Sequence, residues 1–182
     1  MILRKTKIEG LVILKPEILF DERGYFTESF NQIKINDLLG EFNFVQSNES
    51  MSFKCVLRGL HFQNPPHSQA KLVRCTKGKV LDVALDLRKN SKTYGQFEST
   101  ILSHQNKNQL FIPKGFAHGF LVLSNSAIIS YKVDNYYNHE SESGIIWNDP
   151  NLNIDWKMKK SEIIISEKDS KLRSMNSFTS PF

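Results

Sequence analysis

Between Arg58 and Lys71 the chain reads RGLHFQNPPHSQAK, which sets an Arg, a His, a Gln and a Lys within one strand–loop–strand segment. The flanking runs, CVL before it and LVRC after it, are apolar enough to be strands at the wall of a core. Long polar side chains on such walls are costly unless they are satisfied or used. By the period-2 alternation of a strand, Lys71, Val73 and Cys75 share one face, and so do Leu57, Gly59 and His61. Histidine can take and return a proton near neutral pH, and a neighbouring ammonium can steady a developing negative charge. The plain alternative is a His and a Lys on exposed edges.

Further groups with chemical reach lie on either side. Arg58, next to Gly59, reads as a bidentate phosphate clamp if the glycine bends the strand toward a mouth. Arg23 sits at a turn, DERG, where a side chain can lean over a neighbouring opening or simply be solvated. Tyr131 shares a strand face with Ile129 and Val133, so its phenol points into an apolar interior, as a proton donor or as a satisfied core Tyr. His118 lies in IPKGFAHGF, and Asp82, on a face with Val80 and Ala84, is the acidic neighbour that a purely structural His118 would need.

The elements that must position these groups are short. LVILKPEILF carries a central Pro16 and belongs at an edge or breaks in two. Asp21 to Gly24 read as a turn and Tyr25 to Phe30 as a strand. NQIKINDLLG places Ile35, Leu38 and Leu39 on one helical face and stops at Gly40. From residue 43 onward, strand-like runs follow one another: FNFVQSNESMSF, KCVLRGLHF, KLVRC, KVLDVALDLR, FESTILS, NQLFIP, GFLVLS and AIISYKV. NPPHS, TKG, KNSKTYG and LSNS punctuate them as turns. This pattern predicts an all-β sandwich or barrel, not alternating βαβ units. IIWNDPNLNIDW reads as a surface-packed wrap, SEIIISEKD as one more short strand, and SMNSFTSPF as a loose tail.

Composition narrows the class. A chain of 182 residues with 40% apolar residues and 13 Phe fits one globular domain, spanning 1–182. No apolar run reaches the roughly 18 residues that would span a bilayer, and MILRKTKIEG does not read as a secretion signal. Cys55 and Cys75 sit in apolar runs with no zinc spacing, which suits a reducing cytoplasm. The net charge is +5 and the pI near 9.1. The basic residues are scattered, with no Lys/Arg cluster interleaved with aromatics, so an anionic small molecule suits the charge as well as nucleic acid does.

The spacing Pro113-x-Gly115-x-x-His118 after a β-run resembles the second motif of the cupin superfamily, whose jelly-roll barrel uses that His as a metal ligand. At the first cupin motif, His-x-His followed by Glu, this chain reads His61-x-Gln63 and then Lys71, with Gly78 seven residues on. An ammonium repels a cation and an amide is a poor ligand for a transition metal, which predicts a barrel that uses no metal.

With VLRGLHFQ, AKLVRC, DVALDLR, IPKGFAHGF, YKVDNYY and IIWNDP in order, the chain resembles the dTDP-4-dehydrorhamnose 3,5-epimerase family from FDERGYFTESF to SEKD. The resemblance implies a homodimeric cupin jelly roll, its core about 43–135, with a short N-terminal helix and peripheral C-terminal elements. It implies cofactor-independent epimerisation of a nucleotide-linked 4-keto-6-deoxy sugar, dTDP-linked by the family's pattern, in deoxysugar and surface-polysaccharide biosynthesis. Carried over by position, His61 is the general base, Tyr131 the general acid and Asp169 the partner of His61. Lys71 and His118 contact the sugar near its keto group. Arg23 and Arg58 hold the diphosphate, Tyr137 stacks on the base, and Glu28, Gln46, Asn48, Glu142 and Lys168 are further substrate contacts. This chain departs from the family at Ser47, often Asp, and at Asp134-Asn135, often Thr-Asp. Three other readings stay open: an epimerase of a single carbon or of another nucleotide sugar, a metal-dependent cupin such as a dioxygenase, and a silent sugar-binding cupin.

Overall fold

The computed structural model describes residues 1–182. The strands are β1 (Ile2–Lys5), β2 (Val12–Lys15), β3 (Leu19–Asp21) and β4 (Gly24–Phe26), and helix α1 (Gln32–Leu39) follows them. Then come β5 (Gln46–Phe53), β6 (Leu57–Gln63), β7 (Lys71–Lys77), β8 (Lys79–Asp86) and β9 (Phe97–Ser103). β10 (Gln109–Ile112), β11 (Phe116–Val122), β12 (Ser126–Val133), β13 (Glu142–Gly144) and helix α2 (Glu167–Ser170) complete the order. One sheet has six strands in the order β1-β2-β10-β7-β12-β5, and the other five in the order β13-β6-β11-β8-β9. All named pairings are antiparallel. The architecture is the expected all-β jelly roll.

The two sheets enclose a core of Ile13, Val73, Cys75, Leu110 and Ile129 from one wall, and Val80, Ala84, Leu102, Phe116 and Phe120 from the other. A second apolar layer lies on the outer face of the five-stranded sheet. There Leu57, Leu60, Phe62, Leu81 and Leu121 meet Ile145, Trp147, Trp156 and Phe178 from the C-terminal segment. That sheet is covered on both faces, which is why β8 and β11 read as near-continuous apolar runs. A smaller cluster packs Ile35 of α1 against Leu14, Leu72 and Phe111. The helix stops at Gly40, whose φ of 91° a side chain would resist.

Three expectations need correction. The strand expected over Tyr25–Phe30 ends at Phe26, and the chain beyond it is tied down by Thr27 Oγ1 donating to the Glu17 carbonyl. SEIIISEKD makes one parallel bridge, Val56 with Ile164, and then turns into α2. Ser166 accepts a hydrogen bond from the Asp169 amide at 3.1 Å, an N-cap that favours helix over strand there. The loose tail does not exist as such. Phe178 and Phe182 pack edge-on against Phe62, with ring centres 5.5 and 5.7 Å away, and Ser180 donates to the Leu87 carbonyl. A sheet face this apolar needs a cover, and the last residues supply part of it.

The period-2 reading of β6 is also overturned, with a consequence for the site. His61 stands opposite His118 and Arg58 opposite Phe120, so three steps along β6 match two along β11. One extra residue is inserted at Gly59–Leu60, which is a β-bulge. The bulge inverts the alternation: Leu57, Leu60 and Phe62 join the outer apolar layer, while Arg58 and His61 both line the cavity between the sheets. Gly59 has φ 116°, and a Cβ there would fall 2.5 Å from the Gly119 Cα, so the bulge needs glycine.

Because the C-terminal segment is core, Phe178→Ala should destabilise the fold by about 3 kcal/mol or more, as other buried Phe truncations do. Urea unfolding at constant m-value measures it. A cost below about 0.5 kcal/mol would return residues 174–182 to the status of a tail.

Candidate active site

Between the sheets lies a cavity of about 530 Å³, lined among others by Arg58, His61, Lys71, His118 and Tyr131. A second lobe of about 410 Å³ shares His61, Lys71, Tyr131 and Glu142 with it and runs on to Gln46, Asn48 and Tyr137. β6 and β11 contribute the histidines from one wall, and β7 and β12 contribute Lys71 and Tyr131 from the other.

His61 Nε2 lies 2.7 Å from Asp169 Oδ1, and the other carboxylate oxygen accepts from the Gly59 amide at 3.1 Å. Burial alone would raise the Asp169 carboxyl, but His61, the Gly59 amide and Ser166 together hold it below its ordinary value. An ionised carboxylate only accepts, so Nε2 is the donor in this contact. Directly across the ladder, His118 Nε2 lies 3.0 Å from both oxygens of the fully buried Asp82. This is the partner that the sequence nominated. Two histidine–aspartate pairs thus stand side by side on neighbouring strands.

The opposite wall carries the cation and the phenol. Burial pushes the Lys71 ammonium down to about 8, against the attraction of Asp82 and Glu142. Its Nζ reaches the His61 carbonyl at 3.5 Å and has no carboxylate in contact. Burial raises the Tyr131 hydroxyl, with Asn48 and Arg58 pulling the other way, so the phenol keeps its proton at neutral pH. Asn48 is its cross-strand partner on β5.

Around the rim, Glu142 accepts from the Tyr137 hydroxyl at 2.7 Å and pairs with Lys168 at 2.6 Å. Burial would raise its carboxyl, yet Lys168 and Tyr137 keep it below the usual range. Gln46 Oε1 accepts from the Tyr137 amide at 3.2 Å, and Gln46 Nε2 donates to Asn48 at 2.8 Å. Arg58 is steadied by Nε donating to Ser52 Oγ at 2.9 Å and Nη2 to the Met51 carbonyl at 3.4 Å, which leaves Nη1 without a partner in the chain.

Eleven of the sequence-nominated residues converge on this trough, and two do not. Arg23 is solvent-exposed and paired with Asp21; Glu28 pairs with Lys34 at 2.8 Å. Both lie on or just after the β3–β4 hairpin, a separate two-stranded sheet, and neither lines either lobe of the cavity. Among residues not nominated, Ser52 and Ser166 hold Arg58 and Asp169 in place. Ser166 was findable, because Ser three residues before Asp169 is a helix-start signal. Ser52 carries no such mark.

A metal does not fit. No group of three or more His, Cys, Asp or Glu is placed to hold one. At the two changed cupin positions stand the Lys71 ammonium and Gln63, whose amide hydrogens are taken by backbone carbonyls.

The sign of the Lys71 shift can be tested on the free protein. Below its pKa the ammonium is present, and the charge is lost as pH rises through about 8. Amine labelling read peptide by peptide should give Lys71 a midpoint near that value, against about 10.4 for exposed lysines. A midpoint shared with the exposed lysines would refute the desolvated ammonium.

Comparison with known proteins places this geometry. The sequence profile described as dTDP-4-dehydrorhamnose 3,5-epimerase matches residues 5–177. A dTDP-4-dehydrorhamnose 3,5-epimerase of Escherichia coli (strain K12) is 52% identical over 173 residues, covering 94% of this chain and 93% of the relative. The crystal structure of such an epimerase from Elizabethkingia anophelis NUHP1 superposes with a TM-score of 0.93 at 49% identity, covering 97% of each chain. A dTDP-6-deoxy-D-glucose-3,5-epimerase from Legionella pneumophila Philadelphia 1, in complex with dTDP-4-keto-L-rhamnose, gives 0.93 at 47% identity, covering 97% of this chain and 94% of that one.

Proposed function

This chain belongs to the dTDP-4-dehydrorhamnose 3,5-epimerase family, and on that footing we propose how it works as an isomerase of a dTDP-linked 4-keto-6-deoxy sugar. The reaction converts dTDP-4-dehydro-6-deoxy-D-glucose to dTDP-4-dehydro-L-rhamnose by inverting carbons 3 and 5. One observation carries the mechanism: a histidine–aspartate pair and a protonated tyrosine face each other from opposite walls of the same cavity.

A proton next to a ketone is acidic because the electron pair left behind spreads onto the carbonyl oxygen. His61 Nδ1 takes the proton at carbon 3 or 5, and Asp169 steadies the imidazolium that results. The enolate oxygen is met by the Lys71 ammonium, with His118 beside it; a single positioned donor of this kind is worth about 3–4 kcal/mol. Tyr131 then delivers a proton to the opposite face, which inverts the carbon, and exchange with solvent resets both groups for the second position. The keto group itself is the electron sink, so no cofactor is required. Arg58 holds the diphosphate, and Tyr137, with Gln46, Asn48, Glu142 and Lys168 around it, forms the nucleotide end.

The functional unit in this reading is a homodimer. Phe20 and Phe26 on the hairpin are 76% and 67% exposed, and β5 is an edge strand with Met51 and Phe53 exposed. Surfaces of this kind invite a second copy. That copy would receive Arg23 and Glu28, which their own cavity does not use. No helix is long and apolar enough to cross a membrane, and both cysteines are free, which supports a cytoplasmic address.

Two experiments test this. In deuterated buffer, Tyr131→Phe should still wash deuterium into the sugar while inverted product becomes scarce. His61→Ala should lose both, by about a hundred- to ten-thousandfold. Mass spectrometry and proton NMR read the two outcomes and show which carbons exchange; normal exchange by His61→Ala would end the assignment. Separately, Arg23→Ala and His61→Ala, each inactive alone, should recover roughly a quarter of wild-type activity when mixed and reassembled, since half the dimers then hold one intact site. No recovery in mixed dimers would confine each site to one chain.

A further inference from the structure

Gln63 lies two residues after His61 on β6 and is 4% exposed. Its Nε2 donates to the carbonyls of His67, at 2.6 Å, and Tyr136, at 3.2 Å, and its Oε1 accepts from the Asn138 amide at 2.8 Å. The last two bonds bracket Tyr137, one on each side of it. Residues 136–138 belong to no strand or helix, so no ladder holds them. Gln69 Nε2 donates to the Asn135 carbonyl at 2.8 Å and Asn135 Nδ2 to the Pro66 carbonyl at 3.3 Å, and Asn135 Oδ1 accepts from the Tyr136 amide at 2.9 Å. These ties act up to Tyr136, and only Gln63 reaches across Tyr137 to Asn138. Tyr137 itself is half exposed, with only its amide and hydroxyl tethered, to Gln46 and Glu142.

Resting on the assignment of the second lobe to the nucleotide end, we propose that Gln63 is a positioning residue. It sets the place of Tyr137 and thereby the affinity for the nucleoside diphosphate from the strand that carries His61. A flat ring recognises a base by stacking only if its plane is held before the base arrives; otherwise binding must also order the loop. A buried carboxamide with both amide hydrogens and its oxygen engaged supplies that order, and neither hydrocarbon nor a carboxylate replaces it. The proton-transfer groups do not depend on these bonds, because His61 is held by Asp169 and Tyr131 by its own strand.

The prediction is a split between binding and chemistry. Gln63→Met keeps the length of the side chain and removes all three bonds. Its dissociation constant for dTDP, measured by calorimetry, should rise about ten- to a hundredfold. Deuterium incorporation at saturating sugar nucleotide should stay at the wild-type rate. In a Tyr137→Ala background, Gln63→Met should weaken dTDP no further, because the two residues act as one unit. Wild-type affinity for dTDP in Gln63→Met, or a full additional loss on top of Tyr137→Ala, would overturn the proposal. If the Met variant does not fold, Gln63→Glu serves. It turns a carboxylate toward two carbonyls at neutral pH and should bind weakly, then regain affinity when acid protonates it; unchanged affinity at neutral pH would equally overturn the proposal. Failure of the wild-type protein to bind dTDP at all is a separate result, and it would strike the nucleotide reading itself.

Discussion

The Asp169 carboxylate ties the C-terminal segment to β6 at the bulge, just beyond the backbone bridge of Val56 with Ile164. One oxygen fixes the His61 ring and the other accepts the Gly59 amide, so a single buried side chain secures both the histidine and the bulge beside it. The bulge in turn decides what faces the cavity. Without the extra residue, Arg58 and His61 would lie on opposite faces of β6 and could not line one cavity. Asp169 can do this because Ser166 caps the short helix that carries it, and because burial is offset by three hydrogen-bond donors.

Charge inside the cavity is balanced in a similar way. Two aspartates, each bonded to a histidine, stand on one wall, and a desolvated lysine stands on the other. Burial works against the Asp169 carboxylate and the Lys71 ammonium. Asp82 and Asp169 are held by direct hydrogen bonds, whereas Lys71 feels its counter-charges only at a distance and so sits near the pH at which it changes state.

Much of this could be read from the residues alone, for local reasons. The helix ending at Gly40 followed from three apolar residues on one face and a glycine stop, and β9 matched FESTILS to the residue. The Asp82–His118 pair followed from strand alternation. What escaped notice depends on neighbours distant in sequence. A bulge is marked by one glycine in a strand, and only the register against β11 shows where the extra residue goes. The Phe178 segment looks like a polar tail until the outer face of the five-stranded sheet demands a cover. IIIS has a strand's composition, yet its Ser166 begins a helix. Arg23 and Glu28 carry the right chemistry on an element that lines neither lobe of their own cavity.

The covering segment has a consequence for a chain emerging from the ribosome. His61 is made early, and its partner arrives 108 residues later. Until then the outer face of the five-stranded sheet, with Leu60, Phe62 and Leu121, meets water, and the His61 ring has no carboxylate to orient it. A chain that stops before residue 145 leaves that apolar face without Ile145, Trp147, Trp156 and Phe178. The residues that seal the sheet and the carboxylate that fixes the His61 ring travel on the same stretch, so the outer layer and the cavity are completed together.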